Sequence, residues 1–504
     1  MAPGILHSAT SEVEERPVKR IRWASLPPEE ESLPADAIPS HPLGLKPAGN
    51  AYISTTNSKS KIGFFRRLPD EMVMGILELL EARELVKLEG TCRYFYAFTR
   101  AEELWRALFV ASHPENFRWL GTWRRTYLNI SEDKESRIPC PNVFSDVLYR
   151  PFHCAYANLN SYAANIPREN EIKRMQDLTQ EEYTQKWSDK PFILTSPVKQ
   201  WPIYRKWSTE SLIKDYASVK FRAEAVDWPL ETYISYTQNS HDESPLYLFD
   251  RNFAEKMNLK IGRDTTEDAA YWPPPCFGED LFAVLGDQRP DSRWLIIGPA
   301  RGGSTFHKDP NATSAWNAPL TGSKYWLMFP SGPNIPPPPG VIVSEDASEV
   351  TSPLSIAEYM LTFHQIARAT PGCKEGVCYA GEVLHVPSGW FHLVLNLEDS
   401  IALTQNFVPR KKLSEVLRFL RDGTADQISG FKDHVVDPYS LFVQRLGEKH
   451  PDVLEQGLRE MEEKDKGGRG KWEELTKSGV EESEGAGFSF GFGFGDDDDD
   501  ADVP

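Results

Sequence analysis

His307 and Asp309 stand two residues apart in the segment RGGSTFHKDPNATSAWNAPL. In an extended chain, side chains at i and i+2 leave the same face, so this imidazole and carboxylate can hold one cation between them. A second imidazole, His392, follows 85 residues beyond His307, just after the Pro-Ser-Gly turn of GEVLHVPSGWFHLVLNL and at the head of an apolar strand. Two histidines and a carboxylate make the facial triad that leaves three positions open on Fe(II), enough for a bidentate 2-oxoacid and for dioxygen. Lys324 lies 17 residues past His307 at the start of another strand. A buried ammonium there needs an anionic partner, and the remote carboxylate of 2-oxoglutarate suits it. Alone, a His-x-Asp pair is weak evidence, because such pairs arise by chance in long chains; the four residues together carry the reading.

Elements that could position these residues are legible around them. From about 145 to 409 the chain offers KPFILT, SPLYLFD, RWLIIGP, KYWLMFP, EVLHVPSG, FHLVLNL and SIALTQNF, separated by Pro, Gly and Asn. Many short strands with such punctuation predict a barrel or two-sheet jelly roll. The fold class is therefore mainly β with helical additions. Ahead of it, residues 64–128 read as short helices. Leu68-Pro69-Asp70-Glu71 places proline at a helix start with acids in the first turn, and Val73, Ile76, Leu77 and Leu80 then form one apolar stripe. Leu104, Trp105 and Leu108 mark a further helix. Residues 411–422 and 435–464 are helical in pattern and mixed in charge. The predicted organisation is a disordered arm over 1–60, a helical module over 61–130, the strand-rich domain over 145–409, C-terminal helices over 410–475 and a disordered tail over 476–504.

Length and composition bound what such a chain does. Its 504 residues are several domains' worth, and no apolar run reaches the ~18 residues of a membrane span. The start, Met1 to Glu15, lacks the basic opening and apolar core of a signal peptide. Six scattered cysteines fit a reducing compartment better than a disulfide framework. Half of the −18 net charge sits on nine acidic residues of the tail from Ser478 onward, which holds no Lys or Arg. The rest is mildly acidic, poorly matched to nucleic acid, so proteins and small molecules are the expected partners. The arm holds eight prolines and the basic cluster Lys19, Arg20 and Arg22. Two readings fit the cluster, a nuclear import signal or solvated charge. The tail's GAGFSFGFGFGDDDDD cannot build a core; it is either a solubilising tail or a weak docking tract.

With these residues in view, the His307–Asp309 segment, SAWNAPLTGSKYW, VPSGWFHLVLNL and IALTQNF together resemble the JmjC oxygenases, in the branch of the protein once called the phosphatidylserine receptor. The resemblance runs from about Pro191 to Val408. It implies a double-stranded β-helix of cupin type with Fe(II) held by His307, Asp309 and His392. It further implies that Lys324, Thr404 and Tyr247 hold the remote carboxylate of 2-oxoglutarate and that Asn317 lies near its iron-bound end, with Ser304 also within reach. Ordinary strand packing is the other reading of Thr404 and Tyr247. The implied activity is 2-oxoglutarate-dependent oxygenation of a Lys or Arg side chain, giving succinate and carbon dioxide. The product is a hydroxylated carbon or, where that carbon is an N-methyl group, a demethylated nitrogen.

The stretch GFFRRLPDEMVMGILELLEARELVKLEGTCRYFYAFTRAEELWRALF resembles an F-box, which implies docking through an apolar face onto the Skp adaptor of a cullin-RING ubiquitin ligase. A helical cap folded against the barrel is the plainer alternative. The alternative to the enzyme reading is an F-box adaptor whose barrel recognises substrates without turning them over. The location implied is nuclear or cytoplasmic, with the nucleus favoured. His385 reads as a core or surface residue, Cys373 and Cys378 as ordinary thiols rather than half a zinc site, and Trp316 and Trp390 as pocket wall or plain core.

Overall fold

The computed structural model describes residues 38–262, 268–332, 334–344, 350–425 and 427–481, with side chains to 466. The basic cluster Lys19, Arg20 and Arg22 and the Phe-Gly tract lie outside these residues. Within them the strands in chain order are β1 (Lys173–Met175), β2 (Phe192–Leu194), β3 (Lys220–Ala223), β4 (Val226–Pro229) and β5 (Leu248–Asp250). Then come β6 (Arg293–Gly298), β7 (Gly303–His307), β8 (Ser314–Thr321), β9 (Ser323–Phe329), β10 (Ile342–Val343) and β11 (Val350–Thr351). The last four are β12 (Lys374–Tyr379), β13 (Val383–Val386), β14 (Phe391–Asn396) and β15 (Ser400–Phe407).

Two sheets build the framework. The larger runs β1-β2-β13-β8-β15-β6-β5-β3-β4, and the smaller β12-β9-β14-β7. Apart from the parallel β1–β2 edge, the pairings within them are antiparallel. Chain neighbours β8 and β9 belong to different sheets, as do β13 and β14, so the chain winds back and forth between two facing layers. This is the two-sheet jelly roll expected from the strand pattern, wound as the double-stranded β-helix that the resemblance implied.

Both faces of the central strands are buried, which is why they read as nearly continuous apolar runs. In β14, Phe391, Leu393 and Leu395 pack outward against helix Ile356–Thr362, while His392, Val394 and Asn396 alternate inward. In β9, Tyr325, Leu327 and Phe329 face out, and Lys324, Trp326 and Met328 face in. The polar residues of these strands therefore fall on the inner face, between the sheets.

The N-terminal helices pack onto the barrel. Trp123 stands 5.9 Å from Trp228 and 5.6 Å from Tyr236, ring centre to ring centre, and its indole N–H donates to Asp242 at 2.8 Å. A buried ion network of Arg100 and Arg124 with Glu89 and Glu135 ties the helices together at 2.7–3.2 Å. Residues 38–60, expected within the disordered arm, instead join this module. Leu43 and Leu45 are buried, and the Cys140 amide donates to the Leu43 carbonyl at 2.7 Å. Proline density misled the reading there: apolar anchors between the prolines were enough to dock the segment.

The apolar stripe of helix Asp70–Leu77 is split. Val73 and Leu77 are buried, but Ile76 faces solvent, as do Met72, Leu79 and Phe64. Pro69 caps this helix from outside rather than occupying its first turn. At the other end, helices Leu413–Asp422, Pro438–Lys449 and Pro451–Glu481 bury Val416, Leu417, Phe442, Leu446 and Met461 against Leu281 and Phe282. Among the described residues no helix is long and apolar enough to cross a membrane.

Candidate active site

His307 ends β7 and His392 is the second residue of β14, and the two are direct cross-strand partners. Their rings lie 4.1 Å apart, centre to centre. Each Nδ1 meets a backbone carbonyl, that of Thr305 at 2.8 Å for His307 and that of Trp390 at 3.1 Å for His392. A carbonyl only accepts, so each Nδ1 donates, and Nε2 is the ring nitrogen left to bind a metal. Burial and the neighbouring His307 hold the His392 ring well below the ordinary histidine range, which favours the neutral ligand form.

Asp309 follows β7 and shares the cavity wall with both rings. Its Oδ1 accepts from the Asn406 amide at 3.2 Å, and Asn406 also donates to Thr313 Oγ1 at 2.9 Å. Its Oδ2 is sealed from solvent with no hydrogen-bond partner. Burial pushes the carboxyl up to about 6, against the pull of His307 and of the Asn406 hydrogen bond. An orphaned carboxylate oxygen is costly unless a cation completes it. Among the described residues no three His, Cys, Asp or Glu side chains stand closed around one point. The donors thus line one wall without forming a finished cage. Two imidazoles tied back through Nδ1 and an unpartnered carboxylate oxygen nevertheless make a donor set that suits a divalent transition metal.

The cavity beside them measures about 690 Å³. Lys324, fully buried on the inner face of β9, donates to the Tyr247 hydroxyl at 2.6 Å and to Asn396 Oδ1 at 2.9 Å. Burial lowers its ammonium to about 7. Tyr247 lines the cavity, and Gly298 makes room for it: a Cβ there would stand 2.3 Å from the Tyr247 ring. Thr404 and Asn317 are cross-strand partners on β15 and β8, and both line the cavity. The Thr404 hydroxyl donates to the Trp316 carbonyl at 2.8 Å, while Asn317 Oδ1 is buried without a partner. Ser304 also lines it.

Several other residues resolve between their alternatives. Trp316 points away into the outer core, 5.7 Å from Trp201, and Trp390, half-buried, packs against the inner-face cluster of Trp326 and Met328 without lining the cavity. Trp326 and Trp294 line the cavity instead. His385 is a core residue stacked on Phe192 at 4.8 Å. Cys373 and Cys378 are buried free thiols. Sequence reasoning missed Asn396 and Asn406, which orient Lys324 and Asp309. For Asn396 the signal was an asparagine closing the largely apolar strand FHLVLN; Asn406, in the mixed strand SIALTQNF, gave none.

A β-helix of two sheets that sets two imidazoles and a carboxylate on one cavity wall, with a buried lysine behind the Tyr247 that lines it, defines a cupin-type oxygenase. The chain belongs to the JmjC family of these Fe(II)- and 2-oxoglutarate-dependent enzymes, with an F-box-like module ahead of the barrel. Residues 177–412 match the cupin-like domain family and residues 65–111 the F-box-like family. The arginine-specific demethylase JMJ22 of Arabidopsis thaliana is 39% identical over 441 residues, 85% of each chain. The lysine-specific demethylase JMJ21 of the same plant is 30% identical over 70% of this chain and 38% of its own. The bifunctional arginine demethylase and lysyl-hydroxylase psr-1 of Caenorhabditis elegans is 34% identical over 53% of this chain and 64% of its own. Iron and 2-oxoglutarate are named in the descriptions of further relatives.

Proposed function

We propose that the cavity is the active site of a protein oxygenase that hydroxylates or N-demethylates a Lys or Arg side chain. His307, Asp309 and His392 would hold Fe(II), which with 2-oxoglutarate and dioxygen supplies the oxidising chemistry. The observation that carries this reading is the His307–His392 pair, each ring tied back through Nδ1, beside the orphaned Asp309 Oδ2.

The chain's own residues bind, orient and exclude. Lys324 supplies positive charge for the remote carboxylate of 2-oxoglutarate, with the Tyr247 hydroxyl beside it. Asn396 holds that ammonium in place, and Asn406 does the same for the Asp309 carboxylate. Thr404 contributes by swinging its hydroxyl proton from the Trp316 carbonyl to the cosubstrate. Asn317 takes the iron-bound end. Trp326 and Trp294 keep water from the wall.

Incubation with Fe(II), 2-oxoglutarate, oxygen and a library of peptides bearing Lys, Arg and their methylated forms tests the reading. Succinate release with +16 or −14 mass shifts on these residues is the expected result. Failure to consume 2-oxoglutarate with any peptide or alone would sink it.

We also propose that the F-box-like module docks a Skp-type adaptor, coupling the barrel to a ubiquitin ligase, and that the chain works in the nucleus or cytoplasm, the cluster Lys19, Arg20 and Arg22 favouring the nucleus. Support for docking comes from the exposed apolar face of Met72, Ile76 and Leu79, the last 84% exposed. Leu68 is half-buried against the core, so it tests folding rather than docking. Leu79→Asp should lower adaptor co-purification at least about tenfold, as for a hot-spot loss, while leaving the melting temperature and succinate release unchanged. Unchanged co-purification would leave the barrel's role intact and remove the adaptor's.

A further inference from the structure

Three carboxylates line the cavity: Asp309, Glu224 and Glu243. Asp309 belongs to the donor set. Glu224 reaches Arg106 of the helical module at 3.0 Å. Glu243 is half-buried and, among the described residues, has no cation within the 4.0 Å of an ion pair. It is nevertheless oriented. Glu243 Oε1 accepts the Ser355 hydroxyl, and Ser355 Oγ in turn accepts the Glu358 amide at the start of helix Ile356–Thr362.

The two arginines on the same wall are committed elsewhere. Arg222 pairs with Asp227 at 2.8 Å. The Arg301 guanidinium donates to the carbonyls of Cys154 and Ala157, at the end of helix Asp146–Tyr156, and acts on Glu243 only at longer range. Glu243 also lines a second cavity, of about 360 Å³, at the seam between the helical module and the barrel, together with Glu102, Glu103 and Asp242. The arginines of that seam are likewise paired: Arg100 and Arg124 with Glu89 and Glu135, Arg106 with Glu224, and Arg137 with Glu132. Burial, with Asp242 adding to it, pushes the Glu102 carboxyl up to about 8, as fits a seam short of free cations.

We infer that Glu243 seats the cationic head, guanidinium or ammonium, of the side chain that enters the cavity. This rests on the oxygenase reading and names a specificity-determining residue for it. A cation completes the oriented carboxylate with charge-assisted hydrogen bonds, whereas a neutral side chain leaves its charge, met by the Ser355 hydroxyl and the Cys154 thiol, without a counter-ion. Selection against the neutral competitor is steep in such a site, because the protein's own polar group is what suffers.

The test uses the full chain loaded with Mn(II) and 2-oxoglutarate, titrated with n-butylguanidinium, n-butylammonium and the neutral n-butylurea. Wild type should bind both cations saturably and the urea at least about tenfold more weakly. Glu243→Gln should lose at least about tenfold on the cations and nothing on the urea. Glu243→Asp, which keeps the charge, should recover part of the loss, and Glu224→Gln should bind as wild type does. No preference for cations in wild type, or cation binding by Glu243→Gln equal to wild type, overturns the inference. Failure of wild type to bind 2-oxoglutarate in the same preparation overturns the oxygenase reading instead.

Discussion

Asp309→Ala stops 2-oxoglutarate turnover, by at least about a hundredfold, without unfolding the protein. The two halves of this result come from the same geometry. As the proposed ligand, Asp309 would be one of three donors, and an oxygenase site that loses its carboxylate loses both metal affinity and charge balance. As a core residue it contributes little. One oxygen takes a single 3.2 Å hydrogen bond and the other takes none, so truncation removes a buried, badly satisfied charge rather than a supporting contact. Metal-free variant and metal-free wild type should therefore melt at similar temperatures. Adding Mn(II) should raise the melting temperature of wild type alone, because only the complete donor set binds the ion to the folded state. Equal succinate release at matched iron would remove Asp309 from the site. A metal-free variant that melts far below wild type would make it a structural residue.

Strand periodicity places His392 on the inner face of its strand, and the short His307-x-Asp309 spacing keeps the carboxylate with the first imidazole; all three line the cavity, while Lys324 sits on the inner face of β9 behind Tyr247. FHLVLN alternates, and a residue's parity decides whether it looks into the cavity or outward. The same rule should have moved Trp316 out of the pocket, since Asn317, its neighbour, was already assigned inside. Cross-strand register is what sequence does not supply. That His392 pairs with His307, Thr404 with Asn317 and Lys324 with Asn396 is set by turns and by the bulge between His392 and Val394, not by local composition. Glu243 was invisible for a related reason. Its meaning depends on the absence of a counter-ion, and that requires knowing where Arg222, Arg301 and Arg106 have gone. The helical stripe shows a limit of another kind. Periodicity found Val73, Ile76, Leu77 and Leu80, but only packing shows that the stripe is shared between a core and a solvent-facing patch.

If Lys324 holds the remote carboxylate as proposed, 2-oxoglutarate binding should depend on pH in a window that no ordinary lysine would reach. Its ammonium is fully buried among Tyr247, Asn396 and the inner wall, and burial lowers it to about 7 rather than the usual value near 10.5. Only the charged form can pair with the remote carboxylate. Below about pH 6.5 the lysine is already protonated in the free protein, and this group adds no slope. Above about pH 7 the free lysine is neutral, so binding must first take up a proton, and affinity should fall by up to about tenfold per pH unit until the pKa of the bound state is reached. Titrations of the Mn(II)-loaded chain between pH 7 and 9, in buffers of different ionisation heat, read both the slope and the proton. Lys324→Met keeps the bulk and removes the charge. It should weaken binding at least about tenfold near pH 7 and abolish the slope, while Asp309 and the histidines still bind metal. Arginine should not restore affinity, because its planar head does not fit a site closed around an ammonium by one hydroxyl and one amide oxygen. If wild-type affinity is flat from pH 7 to 9, Lys324 is charged before the cosubstrate arrives. If the slope survives in Lys324→Met, the proton belongs to another group, and the remote carboxylate is held elsewhere on the wall.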